Sequence, residues 1–368
     1  MTLKYALIYV GIFCLFLVGC RDYRNLEDIS LEFVMGLEID EKNQLIVYTS
    51  SPTFKKDTFV KEVSNKVYAD TIRNSREKLD EQVIGMIDGS KTQIILLGEN
   101  LIKKRNWIRY LDVFYRDARN STTPRVIAVQ GSLEKVFFHP SKQQPQLSLY
   151  LKKLLATSYQ RNNTVSTHLQ ALRDQQLERG ITPSITRMNV KQKPRINGTL
   201  LLDDFMKKRI ELSTTETKLL RILQGKIHGE LPFSCKLLSQ NDQLSKDRVS
   251  FSIRGSNKHV HMKYAKNFIF DIPIHLEIAI TEFSPSFTHT PAIQDIEKKI
   301  ERAMNGQYQK LITKIQLAHI DPIGLGLYAR AYAYPTWKKL NHPWGDELAQ
   351  SKIRVHITIK IMNKGTIS

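Results

Sequence analysis

The run Leu17-Val18-Gly19-Cys20 is the place where residue type and spacing imply a covalent step most directly. It follows Lys4 and the apolar stretch Tyr5 to Val18, and the polar residues Arg21, Asp22, Tyr23, Arg24 and Asn25 start immediately after it. Fourteen helical residues reach only about 21 Å, short of a hydrocarbon core of roughly 30 Å, so the stretch reads as the apolar region of an export signal. A small residue ahead of a Cys at the end of such a signal forms a bacterial lipobox, in which the Cys20 thiol takes a diacylglyceryl group before cleavage. Val18 departs from the commoner Ala or Ser. The blander reading, a buried Cys closing a short core helix, fits poorly because the stretch has no amphipathic face. Two acyl chains anchor stably where one is marginal, each buried methylene contributing about 0.8 kcal/mol.

The other two cysteines carry no chemistry. Cys14 leaves with the signal, and Cys235, with no His beside it in sequence, is expected to be an inert buried thiol. Gly85 to Thr92 (GMIDGSKT) imitates a phosphate loop, but Ser90 stands where Gly is needed and the segment precedes a strand. Gly324-Leu325-Gly326-Leu327-Tyr328-Ala329 matches G-x-G-x-x-A, yet a long helix and Asp321-Pro322 precede it where a dinucleotide site needs a strand. His259-Val260-His261 would put two imidazoles on one strand face, with no third ligand at a recognisable spacing; an exposed face is the commoner outcome. No H-E-x-x-H, G-x-S-x-G or Cys/His pair occurs. No catalytic, cofactor or metal residue is therefore assigned; Cys20 is the one candidate site residue, as a lipid anchor.

The 368 residues carry 55 Lys and Arg against 36 Asp and Glu, a net charge of +19, of which Lys4 is lost with the signal. The surplus calls for a polyanionic neighbour. Its basic residues come in short clusters: Lys55-Lys56, Lys103-Lys104-Arg105, Lys207-Lys208-Arg209, Lys298-Lys299 and Lys338-Lys339. None is a long patch with interleaved aromatics, and export argues against nucleic acid, so anionic lipid or acidic partner loops are the remaining counterparts. The 41% hydrophobic and 25% charged composition excludes collagen, a disulfide scaffold and a mostly disordered chain.

The elements that must position these residues are short strands mixed with helices. Leu31 to Asp40 and Gln44 to Thr49 read as strands around the turn Asp40-Glu41-Lys42-Asn43. Thr71 to Ile87 has helical spacing up to Gly89; Gln93 to Leu97 reads as a buried strand leading into a basic helix, Glu99 to Tyr115. Val126 to Val129 is a strand and Leu147 to Ser158 a helix; Met188 to Thr199, with Asn197-Gly198, is polar and is taken as a boundary. Ser213-Thr214-Thr215-Glu216 forms a capping box for a helix closed by Gly225. Val249-Phe251-Ile253 and Ile272 to Ile280 alternate as half-buried strands, with Pro273 arguing for an edge or a strand start. Thr290-Pro291 starts a helix to Leu317, and Ile353 to Ile361 is the cleanest alternating strand.

These pieces resemble a known family, the Ger(x)C lipoproteins, the C subunits of spore germinant receptors. The resemblance rests on the lipobox, on Val34-Met35-Gly36-Leu37-Glu38-Ile39-Asp40, and on the Gly198 to Gly225 segment. It rests further on Asp321-Pro322-Ile323-Gly324-Leu325-Gly326, Tyr334-Pro335-Thr336-Trp337-Lys338, Trp344 and the closing strand. Arg21, where Trp is common, and a basic pair thinned to Arg330 are departures. The resemblance implies an α+β chain of three mixed α/β domains, each a mainly antiparallel sheet packed with helices, after a cleaved lipoprotein signal. The expected division is 1–19 signal, 20–190 N-terminal domain, 198–289 middle domain and 290–368 C-terminal domain. It also implies a non-enzymatic subunit on the outer face of the spore inner membrane, anchored by its diacylglyceryl group. Its partners would be membrane subunits A and B, with no cofactor and no nucleic acid. A substrate-binding lipoprotein of an ABC importer and a cell-wall enzyme are the alternatives.

Overall fold

The computed structural model describes residues 29–53, 62–138, 146–236, 248–284 and 292–363. Cys14, Cys20, the Lys55-Lys56 pair and the Thr290-Pro291 helix start lie outside them.

Strand β1 (Ile29–Leu31) pairs in parallel with β5 (Met86–Asp88). The large sheet holds β2 (Val34–Ile39), β3 (Leu45–Pro52), β4 (Glu62–Ala69), β6 (Ile94–Leu97), β7 (Arg125–Gly131), β8 (Ser184–Val190), β9 (Pro194–Leu202) and β10 (Lys208–Leu212). Their order is β10-β9-β8-β7-β6-β2-β3-β4. Its flanks are antiparallel hairpins and its centre, β8-β7-β6-β2, is parallel. Parallel strands need crossovers, and these cover both faces with helices, which is why β6 is buried along its whole length. One face packs against α1 (Ile72–Asp80), α2 (Glu99–Ile102), α3 (Asp112–Arg116) and the one-turn helix Trp107–Leu111. The other packs against α4 (Leu133–Phe138) and α5 (Leu147–Gln160), while α6 (Leu169–Leu177) returns to the first.

The second sheet runs β11 (Leu231–Lys236), β12 (Arg248–Lys258), β14 (Phe268–Phe283) and β13 (His261–Tyr264), and β15 (Lys352–Asn363) pairs in parallel along the other side of β14. One face is buried under α7 (Thr214–Leu223) and the 25-residue α8 (Ile293–Leu317). From α8, Ile296, Ile300, Met304, Tyr308, Leu311, Ile312 and Ile315 are buried, each aliphatic side chain stabilising by about 1.5–3 kcal/mol. Helices α9 (Leu325–Tyr332), α10 (Tyr334–Lys338) and α11 (Trp344–Gln350) close the end of this core.

Helices and mixed sheets make the chain α+β, as expected. Strand pairing passes through 190–198, since β8 and β9 form a hairpin there, and β15 completes the sheet begun by β11 to β14.

Local signals were realised in several places. Ser213 and Glu216 form the capping box of α7, and Gly225 follows it at φ +65°. Other elements differ for identifiable reasons. Helix α1 stops at Asp80, whose carboxylate accepts from Ile87 N (2.7 Å) and so turns the chain into β5. The segment Glu99 to Tyr115 is broken by Asn106 in the left-handed region, held by its N–H to the Phe205 carbonyl (2.8 Å). Pro273 is in the middle of a central strand, not at an edge. Its carbonyl accepts from His259 N (3.2 Å), so its nitrogen faces the place where the chain passes from β12 to β13 and no donor is required.

Candidate functional site

The residues quoted for the C-terminal signature converge on one junction between the two sheets. Asp321 follows α8 and is fully buried. Its Oδ1 accepts from Ile323 N (3.1 Å) and Gly324 N (2.8 Å), and its Oδ2 from Gly326 N (2.8 Å) and Trp344 Nε1 (2.7 Å). Four donors saturate a carboxylate's useful acceptor directions. Burial pushes its pKa up to about 6 against the pull of these hydrogen bonds. With every lone pair engaged, Asp321 folds the Pro322–Gly326 turn around itself and is not placed to take a proton from a substrate.

The same turn locks onto the rest of the chain. The Asp321 carbonyl accepts from Thr182 N (2.8 Å), ahead of β8, and the Pro322 carbonyl from Gln224 Nε2 (2.8 Å), at the end of α7. Gly324 has φ +87°, a conformation that favours glycine. Gly326 serves a second purpose: a Cβ there would lie 2.7 Å from the Gly180 Cα and 2.7 Å from Trp344 Nε1. Trp344 stands edge-on to Phe268 (5.3 Å between centroids) and Phe270 (6.4 Å), and Trp337 packs on it at 5.1 Å. Arg330 pairs with Glu178 (2.8 Å), and Arg179 lies over the Trp337 ring.

The N-terminal signature is structural as well. Gly36 on β2 leaves room for the Phe137 ring, whose Cε2 would be 2.7 Å from an added Cβ. Cys235 is buried, and burial pushes its thiol up to about 11, so it stays protonated and unreactive at neutral pH. His259 and His261 are exposed with rings 6.4 Å apart, and among the described residues no group of three His, Cys, Asp or Glu is arranged to hold a metal. Nor is any described helix long and apolar enough to cross a membrane. Of the basic clusters, Lys208 and Arg209 are taken up by Glu211 and Asp203, whereas Lys104 and Arg105 line an open cleft of about 1000 Å3. Sequence reasoning missed Gly180, Thr182 and Gln224. A lone glycine, threonine or glutamine in a polar segment has no periodicity to single it out.

The chain's sequence matches a class of spore germination proteins. Residues 22–190 match the spore germination protein N-terminal domain, and residues 197–365 match the spore germination B3/GerAC-like C-terminal family. The chain belongs to this Ger(x)C family. Among curated relatives it is 25% identical to the spore germination protein B3 of Bacillus subtilis (strain 168) over 372 residues, covering 95% of each chain. Among solved structures, the GerBC protein shares the fold, with a TM-score of 0.57 at 18% identity over 93% of this chain and all of that one.

Proposed function

We propose that this chain is the lipid-anchored C subunit of a nutrient germinant receptor, acting in spore germination by assembly or signal coupling with membrane subunits A and B. The observation that carries the reading is the family match, which runs from residue 22 to residue 365 with only a short gap. The lipobox ends at Cys20, two residues before the matched region begins, as a membrane-tethered domain requires. On this reading Cys20 bears the diacylglyceryl group, and the domain sits on the outer face of the spore inner membrane. Its role is to bind partners and not to catalyse, in keeping with an Asp321 carboxylate wholly engaged in holding the fold.

The test is genetic and biochemical. Spores lacking the gene should fail to respond to one class of nutrient; normal germination on every nutrient tried would overturn the receptor reading. Cys20→Ala should abolish acylation, seen as a loss of lipid mass, and release the protein from the membrane fraction. Unchanged mass and fractionation would overturn the anchor.

A further inference from the structure

A cleft of about 1000 Å3 joins a second of about 590 Å3 through Asn106, Arg109, Asp112 and Arg116. Its walls are the start of α1, the turn before Trp107, the one-turn helix after it, α3 and the end of α6. Six cations line it against three aspartates. Part of that charge is already balanced within the molecule. Arg73 pairs with Asp117 (3.3 Å) and Arg116 with Asp112 (2.5 Å), and Arg119 holds the Asp117 carboxyl down to about 2. Lys104, Arg105 and Arg109 have no carboxylate partner among the described residues; Arg105 stacks on Phe205 instead (3.9 Å). Arg173, on the far wall, donates to Gln176 Oε1 (2.7 Å) and lies over the Tyr115 ring.

Two further features narrow the occupant. The floor is apolar, with Ile72, Trp107 and Ile108 buried beneath it, and Leu177 stands 66% exposed at its rim. The wall is also pre-formed: Trp107 Nε1 donates to the Met206 carbonyl and Asn106 N to the Phe205 carbonyl, fastening the basic turn to the β9–β10 hairpin. A rigid basic wall over an apolar floor fits discrete carboxylates flanked by an apolar side chain. A continuous anionic lipid surface fits less well, because it cannot follow a concave wall and would be repelled by Asp70 and Asp112 among the cations.

We propose that this cleft docks a short acidic–apolar segment of a partner protein, its Asp or Glu side chains on Lys104, Arg105 and Arg109 and its apolar side chain against Leu177. The proposal names the surface through which a receptor subunit meets its partner, and so rests on the function proposed above.

The experiment places p-benzoyl-phenylalanine at Leu177 of the full-length lipoprotein in spores, with Leu317, 78% exposed at the end of α8, as the control position. Irradiation and mass spectrometry of the adducts should identify a protein segment carrying at least two Asp or Glu residues, captured from Leu177 and not from Leu317. The charge reversal Lys104→Glu with Arg109→Glu should cut that yield about tenfold at unchanged protein level, and Lys104→Gln with Arg109→Gln should cut it less. Adducts only with lipid, adducts only with segments lacking acids, or a yield indifferent to both double variants would overturn the proposal. If gene-deleted spores germinate normally while the acidic adduct still forms, the receptor reading fails and the docking cleft stands. Loss of germination on deletion without the adduct gives the reverse.

Discussion

Glu32 carries a carboxyl group sealed from solvent, with Oε1 accepting from Thr92 Oγ1 (2.8 Å) and Oε2 lacking a partner among the described residues. Burial outweighs the attraction of Arg76 and the Thr92 hydrogen bond and pushes its pKa from 4.5 up to about 7. The folded state then binds this proton more tightly than the unfolded chain does. Below pH 4.5 both states are protonated, and above 7 both are ionised. Between these limits stability falls as pH rises, because ionisation costs more in the folded protein. Glu32→Gln has no charge to lose, so its stability relative to the parent should climb across that window, by an order of 1–3 kcal/mol, and then level off. Urea midpoints of both proteins at pH 4.5, 6 and 8 check this, and a difference independent of pH would refute it.

Strand β15 shows how an element's exposed edge is dealt with. Pairing with β14 occupies one side, and on the other the N–H groups of Ile357, Ile359 and Ile361 point outward from the sheet. Asn305 Oδ1 (3.0 Å), Glu301 Oε1 (2.8 Å) and Glu297 Oε1 (2.8 Å) accept them in turn. The match is geometric: four helical residues advance about 6.0 Å and two strand residues about 6.6 Å, so acceptors at i, i+4 and i+8 meet donors at alternate positions. An open edge invites another strand. Replacing Glu297 and Glu301 with Ala should cost about 1–2 kcal/mol each and promote self-association, measured by denaturation and by sedimentation velocity. A variant that stays as stable and as monodisperse as the parent would show the seal to be dispensable. Both elements were legible in the sequence from their apolar periodicities, but the seal was not. It lies in the polar positions, where Glu297, Glu301 and Asn305 look like any solvated helix face. Similarly, Asn106 breaks the expected Glu99 to Tyr115 helix because its left-handed turn is set by a contact with Phe205, about a hundred residues away.

At the scale of the whole molecule, the two sheets are coupled through the Asp321 junction and through Leu201 and Leu212, which reach from the large sheet into the core of the second. The sequence displayed half of this junction, since Asp321, Gly324, Gly326, Trp337 and Trp344 lie within 24 residues of one another. The other half comes from Gly180, Thr182 and Gln224, which only the fold brings near. Such coupling should make the domain units unfold together. Asp321→Ala would leave three backbone N–H groups and the Trp344 indole N–H without their acceptor, a loss of roughly 3 kcal/mol or more concentrated where the sheets meet. Gly326→Ala would instead drive a methyl group into Gly180 and the Trp344 ring at a cost of about 1–3 kcal/mol. Scanning calorimetry should therefore show one transition for the parent protein. Both variants should show two, with the segment after β11 melting first because it loses the turn that organises it. The two variants act by different means, one by unsatisfied donors and one by steric pressure, so the same splitting in both would locate the cause in the junction and not in either side chain. A single, cooperative transition in both variants, merely shifted to lower temperature, would mean that the shared apolar core at Leu201 and Leu212 couples the sheets without the junction's help.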